Sequence, residues 1–121
     1  MPGYGGTVRL ARLVGLGRAI ELTLTGEMID ARRAYEIGLV SAVVERDSLL
    51  AEAKALARRV TKNGPLAVRM ALESIYGSLE TSTTDALDFE SALFGLLAST
   101  ADMKEGMEAF LEKRKPDFKG R

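Results

Sequence analysis

Apolar residues recur along most of this chain at three- and four-residue spacing, which is the period of one face of an α-helix. Glycine and proline interrupt the pattern at intervals and divide it into segments. After Pro2-Gly3-Tyr4-Gly5-Gly6, Thr7 is placed to cap a helix that runs to Leu13 or Val14 and is ended by Gly15 and Gly17. A second helix is predicted from Arg18 to Leu24, stopping at Gly26. Asp30 stands where an N-cap belongs, ahead of a short helix over Ala31–Ile37 that Gly38 closes. The run Leu39-Val40-Ser41-Ala42-Val43-Val44 is the one strand-like stretch, short and β-branched.

Beyond Asp47 the helical period returns. Leu49, Ala53, Leu56 and Val60 form one apolar stripe, ending at Asn63-Gly64. Pro65 suits the first position of the next helix, which carries Leu66, Met70, Leu72, Ile75 and Leu79. A further helix over Asp85–Ala98 holds Phe89, Phe94 and four leucines. These wrap more than one face and suit burial between neighbours or at an interface. Ser99 to Asp102 introduce the last helix, Met103–Lys113, and Pro116 forbids its extension through the tail. The fold class expected is all-α with one short strand at about 39–44.

Composition adds mainly exclusions. The 121 residues, 46% hydrophobic and 28% charged, fit one ordinary domain with a buried core and lack the signature of disorder. Seventeen basic side chains balance seventeen acidic ones, so no net positive field favours nucleic acid or a membrane surface. With no Cys and no His, the chain offers no thiolate, no imidazole base, no disulfide and no Cys/His metal site. Any chemistry must come from carboxylates, hydroxyls, lysines or backbone amides. No membrane span or signal segment is read, so a cytoplasmic location is the default expectation.

Three blocks stand in order: Pro2 to Leu10 (PGYGGTVRL), Leu24-Thr25-Gly26 through Ala31, Ala34 and Gly38-Leu39-Val40, and Asp102 to Phe118 (DMKEGMEAFLEKRKPDF). Together they resemble the C-terminal half of a crotonase-superfamily protein of the enoyl-CoA hydratase/isomerase family. The resemblance implies that residues 1–62 close the crotonase core spiral and that residues 63–121 form the helical subdomain through which the family trimerises. It implies an acyl-CoA thioester as substrate, with no separate cofactor and no metal. The thioester carbonyl is held between two backbone amides that stabilise an enolate-like charge. Two glutamates move water across the 2,3 double bond by acid/base chemistry. In the family those glutamates and the oxyanion segments precede the PGxGGT block, so no catalytic residue is expected in this chain. Homo-oligomerisation and completion by an N-terminal half are the partnerships implied. The rival reading is a non-catalytic helical self-assembly or interaction module derived from such an enzyme.

Three residues are candidate substrate contacts. Gly3 matches the family glycine whose amide faces the catalytic water, although a close turn feeding a helix accounts for the same letters. Phe94 and Lys113 match an aromatic and a lysine near the adenine and phosphates of coenzyme A, the lysine reaching across a subunit boundary. A phenylalanine at helical spacing is most often a core residue, and Lys113-Arg114-Lys115 is equally a solvated tail. Glu21, Glu36 and Glu105 read as structural, with Asp102 and Glu105 at capping-box spacing. No second carboxylate stands beside them in an apolar setting.

Overall fold

The computed structural model describes residues 1–121, which form two compact units, Met1–Leu50 and Ala51–Arg121. In the first unit, helices α1 (Gly6–Val14) and α2 (Leu16–Thr25) pack on one another, and α3 (Ala31–Glu36) follows. Val14, Ala19 and Ile37 form the buried cluster, bordered by Leu10, Ala11, Leu22, Ile29 and Leu39. The expected breaks are present, with two shifts. Gly5 rather than Thr7 stands at the N-cap of α1, and Gly17 lies inside α2, which begins at once after Gly15. Asp30 caps α3 as its position suggests, its Oδ1 accepting the Arg33 N–H at 2.7 Å. Gly38 then takes a positive φ of 79°, and Leu39 N–H returns to the Ala34 carbonyl at 2.9 Å, closing the helix.

The strand expected at 39–44 is absent, and the chain is entirely helical between its loops. β-Branching disposes a segment to extend, but a strand exists only when its N–H and C=O groups meet a neighbouring strand. No other extended run is present to pair with it.

A short 3-10 turn, Arg46–Ser48, precedes α4 (Leu49–Val60). The second unit then contains α5 (Pro65–Gly77), α6 (Thr83–Ala98) and α7 (Ala101–Leu111), with α5 packed on α6 and α6 on α7. Each start has a local cause. Pro65 occupies the first turn of α5, Ser82 Oγ accepts the Asp85 N–H at 3.2 Å, and Thr100 Oγ1 accepts the Met103 N–H at 3.2 Å. At α7 the Thr100 hydroxyl takes the cap two residues ahead of Asp102, which the capping-box spacing favoured. Little of this unit is buried: Leu93 and Ala109 are the apolar residues fully enclosed, with Asp102 beside them in that class. Phe94, Phe110 and Leu111 stay largely exposed, and so do Leu13, Leu16 and Leu24 of the first unit. An apolar surface of this extent suits contact with further protein.

Candidate functional site

The glycine block is a turn that aims a helix. The Gly3 carbonyl accepts the Gly6 N–H at 3.0 Å, and the intervening Tyr4 and Gly5 both adopt positive φ, 52° and 77°. Gly5 suits that positive φ, and a Cβ on it would lie 2.9 Å from the Arg9 guanidinium, which would have to swing aside. Gly3 itself faces open space, with nothing within 4 Å of where its Cβ would be. The block therefore presents an uncrowded glycine one turn ahead of α1, in the first unit. Phe94 and Lys113 belong to the second.

In the second unit an apolar groove of about 410 Å³ runs between the start of α5 and the helices α6 and α7. Phe94 lines it, with Leu66, Leu97, Met103, Met107 and Phe110. Phe94 is 63% exposed and so is no core residue of this chain. Its ring projects from α6 because Leu93, one residue earlier, takes the buried face. The end of the groove is formed by Phe118 from the tail, whose ring lies over Gly64 and Gly106. A Cβ on Gly106 would come 3.4 Å from that ring, at van der Waals contact.

Lys113 stands at the exit of α7, outside the residues that line the groove. Its φ is 54°, left-handed, a conformation normally left to glycine at a helix C-terminus. The Arg114 N–H reaches back to the Ala109 carbonyl at 3.0 Å and the Lys113 N–H to Phe110 at 3.3 Å, the pairing of a Schellman ending. Holding a lysine there costs about 1 kcal/mol against its Cβ. The Lys113 ammonium makes no ion pair; its neighbours do.

The tail is not a free solvated run. Arg114 places two guanidinium nitrogens on Glu105, at 2.6 and 2.9 Å, and its Nε on Glu112 at 2.6 Å. Glu105 Oε1 also accepts the Asp117 N–H at 2.8 Å. The bidentate Arg114 bond, joined by the Asp117 amide, lowers the Glu105 pKa to about 2, and the same pair raises that of Arg114. One turn earlier on α7, the buried Asp102 accepts the Lys119 N–H at 2.7 Å on Oδ1 and the Gly120 N–H at 2.8 Å on Oδ2. Its own N–H donates to the Arg121 carbonyl at 3.0 Å. The capping box suggested for Asp102 and Glu105 does not form. Thr100 has the cap, and both carboxylates turn to the tail instead.

These contacts define what the arrangement can do chemically. The two carboxylates that share a helix face each accept N–H donors on both oxygens. No group of three or more carboxylates comes together at metal-binding distance, and no helix is long and apolar enough to cross a membrane. Beside the carboxylates lie an apolar groove with an exposed aromatic and, outside its lining, a lysine in a left-handed conformation at the end of α7. Sequence reasoning missed the tail contacts because Asp102 and Gly120 are eighteen residues apart and no periodic signal links them. Two clues were present, in a glycine at 106 inside a helix and a Pro-Asp-Phe turn after it.

Comparison with known proteins gives a consistent result. The family model described as enoyl-CoA hydratase/isomerase matches residues 1–121. The chain is 47% identical over 117 residues to the crotonyl-CoA hydratase of Syntrophomonas wolfei, covering 97% of this chain and 45% of that protein. It is 50% identical over 109 residues to the short-chain-enoyl-CoA hydratase of Clostridioides difficile, covering 90% of this chain and 70% of that protein. The crystal structure of an enoyl-CoA hydratase from Bacillus anthracis superposes with a TM-score of 0.97 at 43% identity, over 100% of this chain and 47% of that one. The chain thus spans about half the length of most relatives it resembles.

Proposed function

The chain belongs to the enoyl-CoA hydratase/isomerase family, and from that premise we propose that it is the C-terminal portion of an enzyme that hydrates 2-enoyl-CoA thioesters in fatty-acid-type metabolism. In this reading it contributes oligomer contacts and part of the coenzyme A site. The catalytic glutamates and the oxyanion hole are supplied by sequence outside it, with the thioester as substrate and no further cofactor. Gly3 faces the reacting water with its amide, Phe94 lies against the adenine, and Lys113 provides a point charge to a phosphate. The observation that supports the reading is an open apolar groove in the same unit as a lysine fixed in a left-handed turn, with the nearby carboxylates engaged by N–H donors. Such an arrangement is suited to binding.

The second reading, a non-catalytic helical module that self-assembles, draws on the breadth of exposed apolar side chains. Leu24 is 79% and Phe110 82% accessible. Light scattering weighs it: a particle above 13.1 kDa favours association, and a monomer at high concentration removes this reading.

For the principal reading, the purified chain is expected to leave crotonyl-CoA absorbance at its uncatalysed rate while binding coenzyme A weakly and in a salt-sensitive manner. Exposed charge pairs are screened over a Debye length of about 8 Å at physiological salt. Lys113→Ala weakens that binding and Lys62→Ala leaves it nearly unchanged. Turnover that survives repurification and scales with protein concentration overturns the inactive half of the claim. Tight binding indifferent to salt and to Lys113 overturns the other.

A further inference from the structure

Lys113 is the one lysine of this chain in a left-handed backbone conformation. Two kinds of bond fix it there. The Lys113 and Arg114 amides return to the Phe110 and Ala109 carbonyls of α7, and Arg114 is tied by its guanidinium to Glu105, more than two turns back on that helix. Glu105 takes the Asp117 amide as well, so one carboxylate gathers both the residue after Lys113 and the fold of the tail beyond Pro116. Glu105 is 23% exposed at its side chain and Arg114 40%, against a helix surface where pairs such as Lys104 with Glu108 are far more open and looser, at 3.8 Å. The short bidentate geometry makes this a bond with a defined direction rather than a diffuse attraction.

A lysine has four rotatable side-chain bonds, and a phosphate contact from a freely swinging stem loses part of its gain to ordering. The backbone conformation sets the Cα–Cβ vector from which those four bonds sweep, and so the region the ammonium can reach. In a right-handed conformation, as in a continued helix, the same side chain would leave the end of α7 in another direction. We propose that Glu105 is a positioning residue: through Arg114 and the Asp117 amide it holds the exit of α7 in the left-handed turn that aims Lys113 at its phosphate. The inference rests on the reading of Lys113 as a phosphate contact. Its experiment separates failure of that reading from failure of its own.

The full chain is compared with Lys113→Ala, Glu105→Gln and the double variant, by calorimetric titration with coenzyme A at low salt. Lys113→Ala is expected to weaken binding about two- to fivefold, the size of an exposed charge contact. Glu105→Gln keeps the shape of the side chain and loses its charge, and should weaken binding to a comparable extent. The double variant should bind no more weakly than Lys113→Ala alone, because positioning has no effect without the group positioned. A Glu105→Gln chain that binds as the unaltered chain does overturns the positioning role while leaving the Lys113 reading intact. A further loss in the double variant overturns it too, since Glu105 then acts elsewhere. Unchanged binding in Lys113→Ala, or no binding by the unaltered chain, removes the phosphate reading and the positioning role with it. The backbone gives a readout without ligand: the Lys113 carbon chemical shifts, which report φ, should leave the left-handed region in Glu105→Gln while those of α7 stay helical. Left-handed shifts persisting in that variant reject the proposal.

Discussion

The two units of this chain are stabilised in different ways. Met1–Leu50 is closed by packing: its caps are mostly backbone groups and glycines, and its centre is the Val14, Ala19 and Ile37 cluster. Ala51–Arg121 leaves apolar surface open as the first unit does, but there carboxylate contacts on α7 hold the C-terminal segment. Apolar packing has no titrating group and no charge to screen, whereas charge-assisted bonds respond to pH and are weakened by screening. The difference teaches which perturbation should reach which unit. Amide hydrogen exchange, read helix by helix, can follow the two separately.

The most severe test of the contrast is truncation of the first core. Ile37→Ala removes a 4% exposed side chain and is expected to lower stability by about 3 kcal/mol, with faster exchange in α1 to α3 and little change in α7. Uniform acceleration along the chain would show that the units unfold as one. Asp102→Ala makes the reverse cut. It leaves the Lys119 and Gly120 amides without their acceptor and should cost about 2 kcal/mol, with the loss in exchange protection confined to α7 and the residues after it.

Acid sharpens the comparison next. The Glu105 pKa is depressed to about 2 from 4.5, so its contribution is complete above 4.5 and is lost progressively as pH falls toward 2. Amides of 114–118 should lose protection across that window before those of α1 and α2. Glu105→Gln should flatten this part of the profile. The smallest expected effect is a gain. Lys113→Gly relieves the left-handed strain and should stabilise α7 by about 0.5–1 kcal/mol, measured by urea denaturation, while weakening coenzyme A binding. A variant at 113 that improves both stability and binding would mean that the strain has no part in function.

Sequence made the local architecture legible. The helices of this chain start where a proline, a hydroxyl or an aspartate marks the position, as at Pro65, Ser82, Thr100 and Asp30, and several end at glycines with positive φ. These features act within one turn, so the letters carry them. The three ordered blocks also placed the chain in its family. The short run at 39–44 shows where this stops, because β-propensity describes a segment and strand formation needs a second one.

What sequence determined, then, was most of what has its cause within four residues: the helical period, the breaks and the order of the motifs, with the caps of α1 and α7 two residues ahead of the expected ones. Tertiary structure alone decided that Phe94 faces a groove instead of a core, that Asp102 binds amides seventeen and eighteen residues away, and that Arg114 leaves Lys113 in a left-handed turn. The tail contacts among these depend on the direction in which the chain returns after Pro116, which also brings the Phe118 ring to Gly64 and Gly106. The physical reason is that a carboxylate's partner is chosen by proximity after folding, and proximity between residues far apart in sequence has no period to be read.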